Sequence, residues 1–281
     1  MTTAGTTLVI GASGTTGRRV VAQLVAVGHG VKAASRHATP VPGTAPVRFD
    51  WYDPCTHAAA LDGVDRVYLI PPPADPDPAA VMEPFLRQAR TAGVHRAVLL
   101  SSSAIPAGGP AVGSVHRALP DLVEHWAVLR PSWFMQNFTG QHAHALSIAE
   151  QGSILTATGT GRVGFIDAQD IAAVAFHALT SEHAPDTDLV LTGPETLSYD
   201  DVAAIMTEVT GRLVVHRSLS YEQLRDRLAA QLPAEFAAML AGLDRGIAAG
   251  SEDRVTDAVP RLTGRPARTF RAFLEDKPCS S

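Results

Sequence analysis

Gly11, Gly14 and Gly17 recur at three-residue spacing between an apolar run, Thr7–Ile10, and a stretch that carries Val20, Val21, Leu24 and Val25 at helical spacing. A strand, a glycine turn and a helix in that order hold an anion on backbone N–H groups. Gly11 suits the tight turn, Gly14 lets the chain approach a pyrophosphate with no side chain between, and Gly17 lets the helix pack close to the strand. The same glycines would also serve a plain tight turn, so the string gains its meaning from the strand before it and the helix after it.

The next strand, Val31–Ser35, ends where NAD-selective sites place an Asp or Glu against the ribose diol. No acidic residue precedes Asp50, whereas Arg18, Arg19, Lys32, Arg36 and Arg48 all do. A guanidinium at Arg36 matches a dianionic 2′-phosphate in a fork, and the missing carboxylate removes the repulsion that would exclude it. The expected cofactor is therefore NADP(H). A solvated loop charge is the bland alternative for Arg36.

These residues need a scaffold, and the pattern supplies one. Strand-like segments recur at Val47–Phe49, Arg66–Ile70, Ala97–Leu100 and Ala127–Leu129, with a helical stretch at Ala79–Ala92, which predicts an α/β chain with a Rossmann-type, doubly wound parallel sheet. Loops at 71–78 and 104–114 leave the carboxyl edge of that sheet, where ligands bind in this architecture. Beyond Arg130 the pattern changes. A Rossmann domain over 1–130, with later returning segments, and a smaller interleaved substrate lobe over 131–281 are expected. Ser198 with Asp201, and Ser220 with Gln223, are capping-box starts for two of its helices.

Composition narrows the partners. With 281 residues, 46% of them hydrophobic, the chain has enough apolar surface for a full core. A net charge of −5 without a basic run argues against nucleic acid or an anionic membrane as main partner. Cys55 and Cys279 support neither a disulfide framework nor a cysteine metal site, so a reducing cytoplasm is expected and no metal. His142 and His144, two apart on a helix, face different directions and make no convincing metal pair. Asp167 and Asp170 read as caps or orienting groups for the helix that follows. No apolar stretch of about 18 residues is present.

With these landmarks placed, the chain resembles the NmrA-like branch of the atypical short-chain dehydrogenase/reductases over nearly its whole length. The matching pieces are GASGTTGRRV, ASR, LDGVDRVYLIPPP, VLLSSS, LRPSWFMQNF and GRVGFIDAQDIAAVA; the C-terminal LTGPETLSYDDVAAIMTEVTGR and RLTGRPARTF look like the festuclavine-type reductase subgroup and its bacterial relatives. The resemblance implies NADP(H) in a groove between a Rossmann domain and a smaller lobe. It places the pyrophosphate on Gly11, Ser13, Gly14, Thr15, Thr16 and Gly17 and the 2′-phosphate on Arg36. It puts Asp50 and Trp51 near the adenine, Ile70, Pro71, Ser101 and Ser102 along the ribose and nicotinamide, and Pro131 and Ser132 by the carboxamide.

Short-chain reductases of simple ketones use a Tyr with a Lys four residues on, the Lys lowering the phenol pKa. Here Tyr52, Tyr68, Tyr199 and Tyr221 are followed at that spacing by Thr56, Pro72, Ala203 and Arg225. Substrates that need no strong acid fit such a chain: an iminium, a quinone, or an aryl ketone with its own internal hydrogen bond. His116 and Ser102 are the candidate donors, against a solvated or capping role for His116 and a purely ribose-binding role for Ser102. Trp133, Phe134, Met135 and Phe138 are expected either to line a pocket for an apolar polycyclic or heteroaromatic substrate or to pack in the core. An NADPH-dependent reductase, monomeric or homodimeric, is the leading reading; a non-catalytic NADP(H)-sensing regulator is its rival.

Overall fold

The structure is a computed structural model that describes residues 5–276; Lys277 and Cys279 lie outside them. In chain order, the first elements are β1 (Thr6–Ile10), α1 (Gly17–Ala26), β2 (Gly30–Ser35), β3 (Ala45–Arg48), α2 (His57–Leu61), β4 (Arg66–Leu69), α3 (Ala79–Thr91), β5 (Arg96–Leu100), α4 (Val112–Leu122) and β6 (His125–Pro131). There follow α5 (Ala143–Gln151), β7 (Ser153–Thr156), β8 (Arg162–Val163), α6 (Ala168–Thr180), β9 (Thr187–Leu191), β10 (Leu197–Ser198) and α7 (Tyr199–Thr210). The chain closes with β11 (Val215–Ser218), α8 (Tyr221–Ala229), α9 (Ala234–Ala248), α10 (Ala258–Thr263) and α11 (Phe270–Glu275).

Two compact units result. One takes the residues up to Pro131, with Ala168–Leu191 and Arg261–Gly264; the other takes Ser132–Asp167, Thr192–Pro260 and the residues from Arg265 on. The first unit holds a seven-stranded sheet in the order β3-β2-β1-β4-β5-β6-β9. Every pairing in it is parallel. The near-continuous burial of Leu8, Val9, Val67, Leu69, Val98 and Leu99 follows, because a parallel sheet is covered on both faces. The strand order reverses on either side of β1, which makes the crevice at its carboxyl end the ligand position of this architecture. Alanine-rich α6 is nearly all buried and packs on α1, its small side chains allowing the close approach.

Arg96 ties this packing together. It opens β5, is 5% exposed, and sends its guanidinium to the carbonyls of Ala178, Leu179, Ser181 and Glu182 at 2.6–3.4 Å, at and just beyond the end of α6. A helix C-terminus leaves its last carbonyls without partners and carries negative partial charge, so a buried cation is stabilised there without a carboxylate.

The second unit is built on two short sheets, β10 with β8 antiparallel and β11 with β7 parallel. Its core gathers Phe138, Phe165, Tyr199 and Phe270, with ring centroids 5.3–6.1 Å apart. Both expected capping boxes form, Ser198 with Asp201 at α7 and Ser220 with Gln223 at α8. β9, although it follows much of the second unit in the chain, belongs to the first unit as the edge strand beside β6.

An Arg96→Leu variant removes a set of charge-assisted bonds and strands the α6 carbonyls. It should lower stability by about 3 kcal/mol. Thermal unfolding of the two proteins side by side checks this; an unchanged midpoint would refute the anchoring role.

Candidate functional site

The glycine turn between β1 and α1 is shaped by close approach. Gly11 takes a φ of +70°, and a Cβ on Gly17 would fall 2.2 Å from the Gly11 carbonyl oxygen. Any larger residue at 17 would push α1 off the strand. The turn keeps Ser13, Gly14 and Thr15 exposed at the start of the helix. Thr16, at the capping position, does not cap: its hydroxyl is buried and accepts from the Tyr68 phenol at 3.0 Å. No acid stands in the first turn of α1. The helix start is thus left without a side-chain cap and with its positive end open, which fits a diphosphate held on backbone N–H groups.

The other expected cofactor residues fall along the same carboxyl edge of the sheet. Arg36 is exposed in the turn that leaves β2, and among the described residues it forms no ion pair. Ile70, after β4, lies against Gly11. Ser101 and Ser102 follow β5; the Ser101 hydroxyl is buried with no partner, an available donor at that edge. Pro71 follows Ile70. Asp50 turns its carboxylate to the Tyr52 N–H at 3.0 Å. Trp51 is buried, its indole N–H donating to the Ile70 carbonyl at 3.1 Å and its ring edge-on to Phe49 and Phe85, so its ring belongs to the core rather than to an open stacking surface. Pro131 ends β6, accepting from the Ser103 N–H, and Ser132 opens the second unit with its hydroxyl on buried Glu252.

His116 is neither solvated nor a cap. It sits on the buried face of α4, 5% exposed, with Nδ1 unpartnered, and burial pushes its pKa below the ordinary value. Asp188 and Arg130 oppose each other in its field. Arg130, given no role in the sequence reading, binds Asp188 at 2.6 Å and the carbonyls of Ser102 and Ser103, locking β6 to β9 and to the segment after β5. Tyr52, Tyr68 and Tyr199 are not activated phenols. Burial raises the pKa of Tyr68 and Tyr199, and a hydrogen bond to Asp75 raises that of exposed Tyr52. Tyr221 stacks against the Arg245 guanidinium.

The second unit contains a cavity of about 550 Å³ between α5, α8 and α9. Trp133 lines it, with Leu155, Leu224, Leu228, Leu240 and Leu243. Met135 and Phe138 do not. The 3-10 turn Met135–Phe138 folds both inward, where they close the core against Phe165 and Phe270, and Phe134 also lies outside the cavity wall. His142 caps α5 by accepting the His144 N–H at 3.2 Å; among the described residues no cluster suited to a metal is found. His144 stacks on Phe138, and burial holds its pKa down at about 3, so it is a neutral aromatic wall. Asp167 bonds Gln136 and pairs with Arg268, while buried Asp170 lies in the first turn of α6.

Asp244 is the cavity's unexpected group. It stands on α9 beside Leu240 and Leu243, accepts the Ala157 N–H at 2.8 Å, and burial pushes its carboxyl up to about 6. Its one sequence signal is a carboxylate placed on an apolar helical stripe, at i+4 from Leu240. The segment that supplies Ala157 is itself pinned. With Nδ1 of His216 donating to Asp200, Nε2 accepts from the Thr156 hydroxyl, which accepts in turn from Thr158.

Three comparisons bear on this arrangement. Residues 11–182 match the NAD(P)H-binding family model. An uncharacterised oxidoreductase of Bacillus subtilis, YesF, is 41% identical over 95% of this chain and 93% of its own, and festuclavine synthase II of Penicillium roqueforti is 37% identical over 96% and 97%. The NADPH complex of an Escherichia coli NADPH-dependent quinone oxidoreductase has the same fold, with a TM-score of 0.81, 23% identity and coverage of 95% and 98%.

Since the Asp244 carboxyl is raised in the folded state, the native protein keeps a proton there that the unfolded chain releases, between the ordinary carboxylate range and about 6. That burial therefore costs stability increasingly as pH rises through the window, and the full cost applies above it. Asp244→Asn keeps an acceptor for Ala157 and removes the cost. Its melting temperature should exceed the wild type's by about 2–4 °C near neutral pH, with the gap closing on acidification; a gap of the opposite sign would contradict the burial.

Proposed function

Since this chain belongs to the NmrA-like atypical short-chain dehydrogenase/reductases and is an NAD(P)H-dependent oxidoreductase, we propose that it reduces a specialised aromatic, quinone, iminium or aryl-ketone metabolite, with NADPH as donor. The bound nicotinamide supplies the hydride. The observation that carries the substrate class is the state of the phenols: no tyrosine has a lysine four residues on, and the two buried ones are driven away from acidity.

Hydride delivered to an ordinary ketone makes a strongly basic oxyanion, which needs a proton donor or a donor array. His116, held neutral by burial, is a hydrogen-bond donor of low acidity. Ser101 and Ser102 supply hydroxyls at the end of β5, where a carbonyl or cofactor ribose would be held. Such groups orient an acceptor without fully protonating it. An acceptor that becomes a neutral amine, a delocalised phenolate or an internally bonded alkoxide on reduction needs only that orientation. The second unit, with its leucine-lined cavity and Trp133, is read as the holder of the acceptor's hydrocarbon. The names of the relatives, festuclavine synthase among them, agree with a polycyclic acceptor.

The test is a panel of acceptors followed through loss of reduced nicotinamide absorbance. Quinones, iminium ions and phenol-flanked aryl ketones should turn over at least about a hundredfold faster than aliphatic ketones of similar size, the difference a missing general acid makes. Equal rates on aliphatic ketones would refute the substrate class. Cofactor binding with no turnover on any acceptor would favour the sensing role instead.

A further inference from the structure

Asp244 is a half-buried carboxylate whose one structural bond, from the Ala157 N–H, accounts for only one of its oxygens. It occupies the apolar stripe of α9, between leucines of α8 and α9, facing a cavity large enough for a two- to four-ring molecule. One oxygen accepts the Ala157 N–H; among the described residues no cation or other donor reaches the carboxylate. A desolvated carboxylate is costly unless paired. The remaining ionisable groups of the wall are His142, His144, Glu150 and Arg227. Desolvation lowers the pKa of His142, whose side chain is still exposed, and holds that of His144 down at about 3; Glu150 and Arg227 are exposed. The network of Asp200, His216, Thr156 and Thr158 fixes the segment that donates to Asp244, so the carboxylate is presented in one orientation.

The geometry points to Asp244 as the counter-charge for an organic cation: the cavity takes an apolar amine or iminium ion whose positive nitrogen pairs with the free carboxylate oxygen while its rings lie on Trp133 and the leucines. A neutral polar ligand would leave the charge uncompensated; an apolar cation cancels it in a low-dielectric setting, where pairing is strong. Trp133 adds an aromatic wall that a positive nitrogen also favours. Within the proposed reductase function this selects the iminium class among the electrophiles, and it rests on reading the second unit as the substrate holder. Burial raises the Asp244 carboxyl to about 6, so near neutral pH the site carries its charge and below about 6 it is lost.

Binding separates this inference from turnover. Calorimetric titration with N,N-dimethyltetrahydroisoquinolinium, which is permanently charged, and with its neutral carbon isostere dimethyltetralin uses the intact protein and needs no reaction. The wild type should bind the cation at least about tenfold more tightly than the isostere, and Asp244→Asn should bring the two to parity. Glu150→Gln should keep the preference. Should Asp244→Asn fail to fold, the wild type decides alone: the preference should fall about tenfold from roughly pH 7.5 to roughly pH 5, as the carboxylate takes up its proton. Equal binding of both ligands, no binding of either, a preference that survives Asp244→Asn, or a pH-independent preference lost in Glu150→Gln would each overturn the assignment. None of these results depends on whether the acceptor panel turns over.

Discussion

The contact between Gly17 and the Gly11 carbonyl governs the first unit. With a Cβ built on Gly17 falling 2.2 Å from that oxygen, only hydrogen fits, and α1 is set directly against the end of β1. Two consequences follow from this one close approach. The start of α1 lies at the carboxyl end of β1, where the strand order reverses, and Tyr68 of β4 donates to the hydroxyl of Thr16, which leaves the capping position without a side-chain cap. A helix end with neither side-chain cap nor acid favours an anion. The rest of the sheet, with Arg96 tied to the end of α6 and Arg130 to Asp188, holds the strand ends in register around it.

The chemistry is as much a matter of charges withheld as of charges supplied. The early chain contains arginines but no carboxylate before Asp50, which leaves Arg36 unopposed at the end of β2. Burial or a hydrogen bond drives the phenols of Tyr52, Tyr68 and Tyr199 away from acidity, and burial lowers the His116 pKa. Against that background the desolvated carboxylate of Asp244, unlike exposed Glu150 on the same leucine-lined wall, is conspicuous, because burial is tolerated only where some partner compensates it. The electrostatics of the molecule thus sets an uncapped helix start in the first unit against a desolvated carboxylate in the second, and the charge of the ligand each one takes is what binding data decide.

Much of the first unit was legible from the sequence because its strands are buried on both faces and its helices carry a clear 3.6-residue stripe. Thr7–Ile10, Val31–Ser35 and Arg66–Ile70 lie within a residue of β1, β2 and β4. The capping boxes at Ser198 and Ser220 were legible for the same local reason. The short strands of the second unit were not, since two to four residues carry no alternation. Side-chain direction was the least legible. PSWFMQNF is aromatic-rich throughout, yet Trp133 lines the cavity while Met135 and Phe138 turn inward, because a 3-10 turn intervenes that has no sequence signature. Asp244 escaped because it belongs to no motif; only the helix α9, once formed, places it among leucines.

The most direct measurement is a fluorescence titration of the purified protein with NADPH and with NADH, repeated on Arg36→Ser. An unopposed guanidinium at the end of β2 predicts that NADPH binds at least about tenfold more tightly than NADH and that the substitution erases most of the difference. Tighter binding of NADH, or a preference for NADPH that persists without Arg36, would contradict the account.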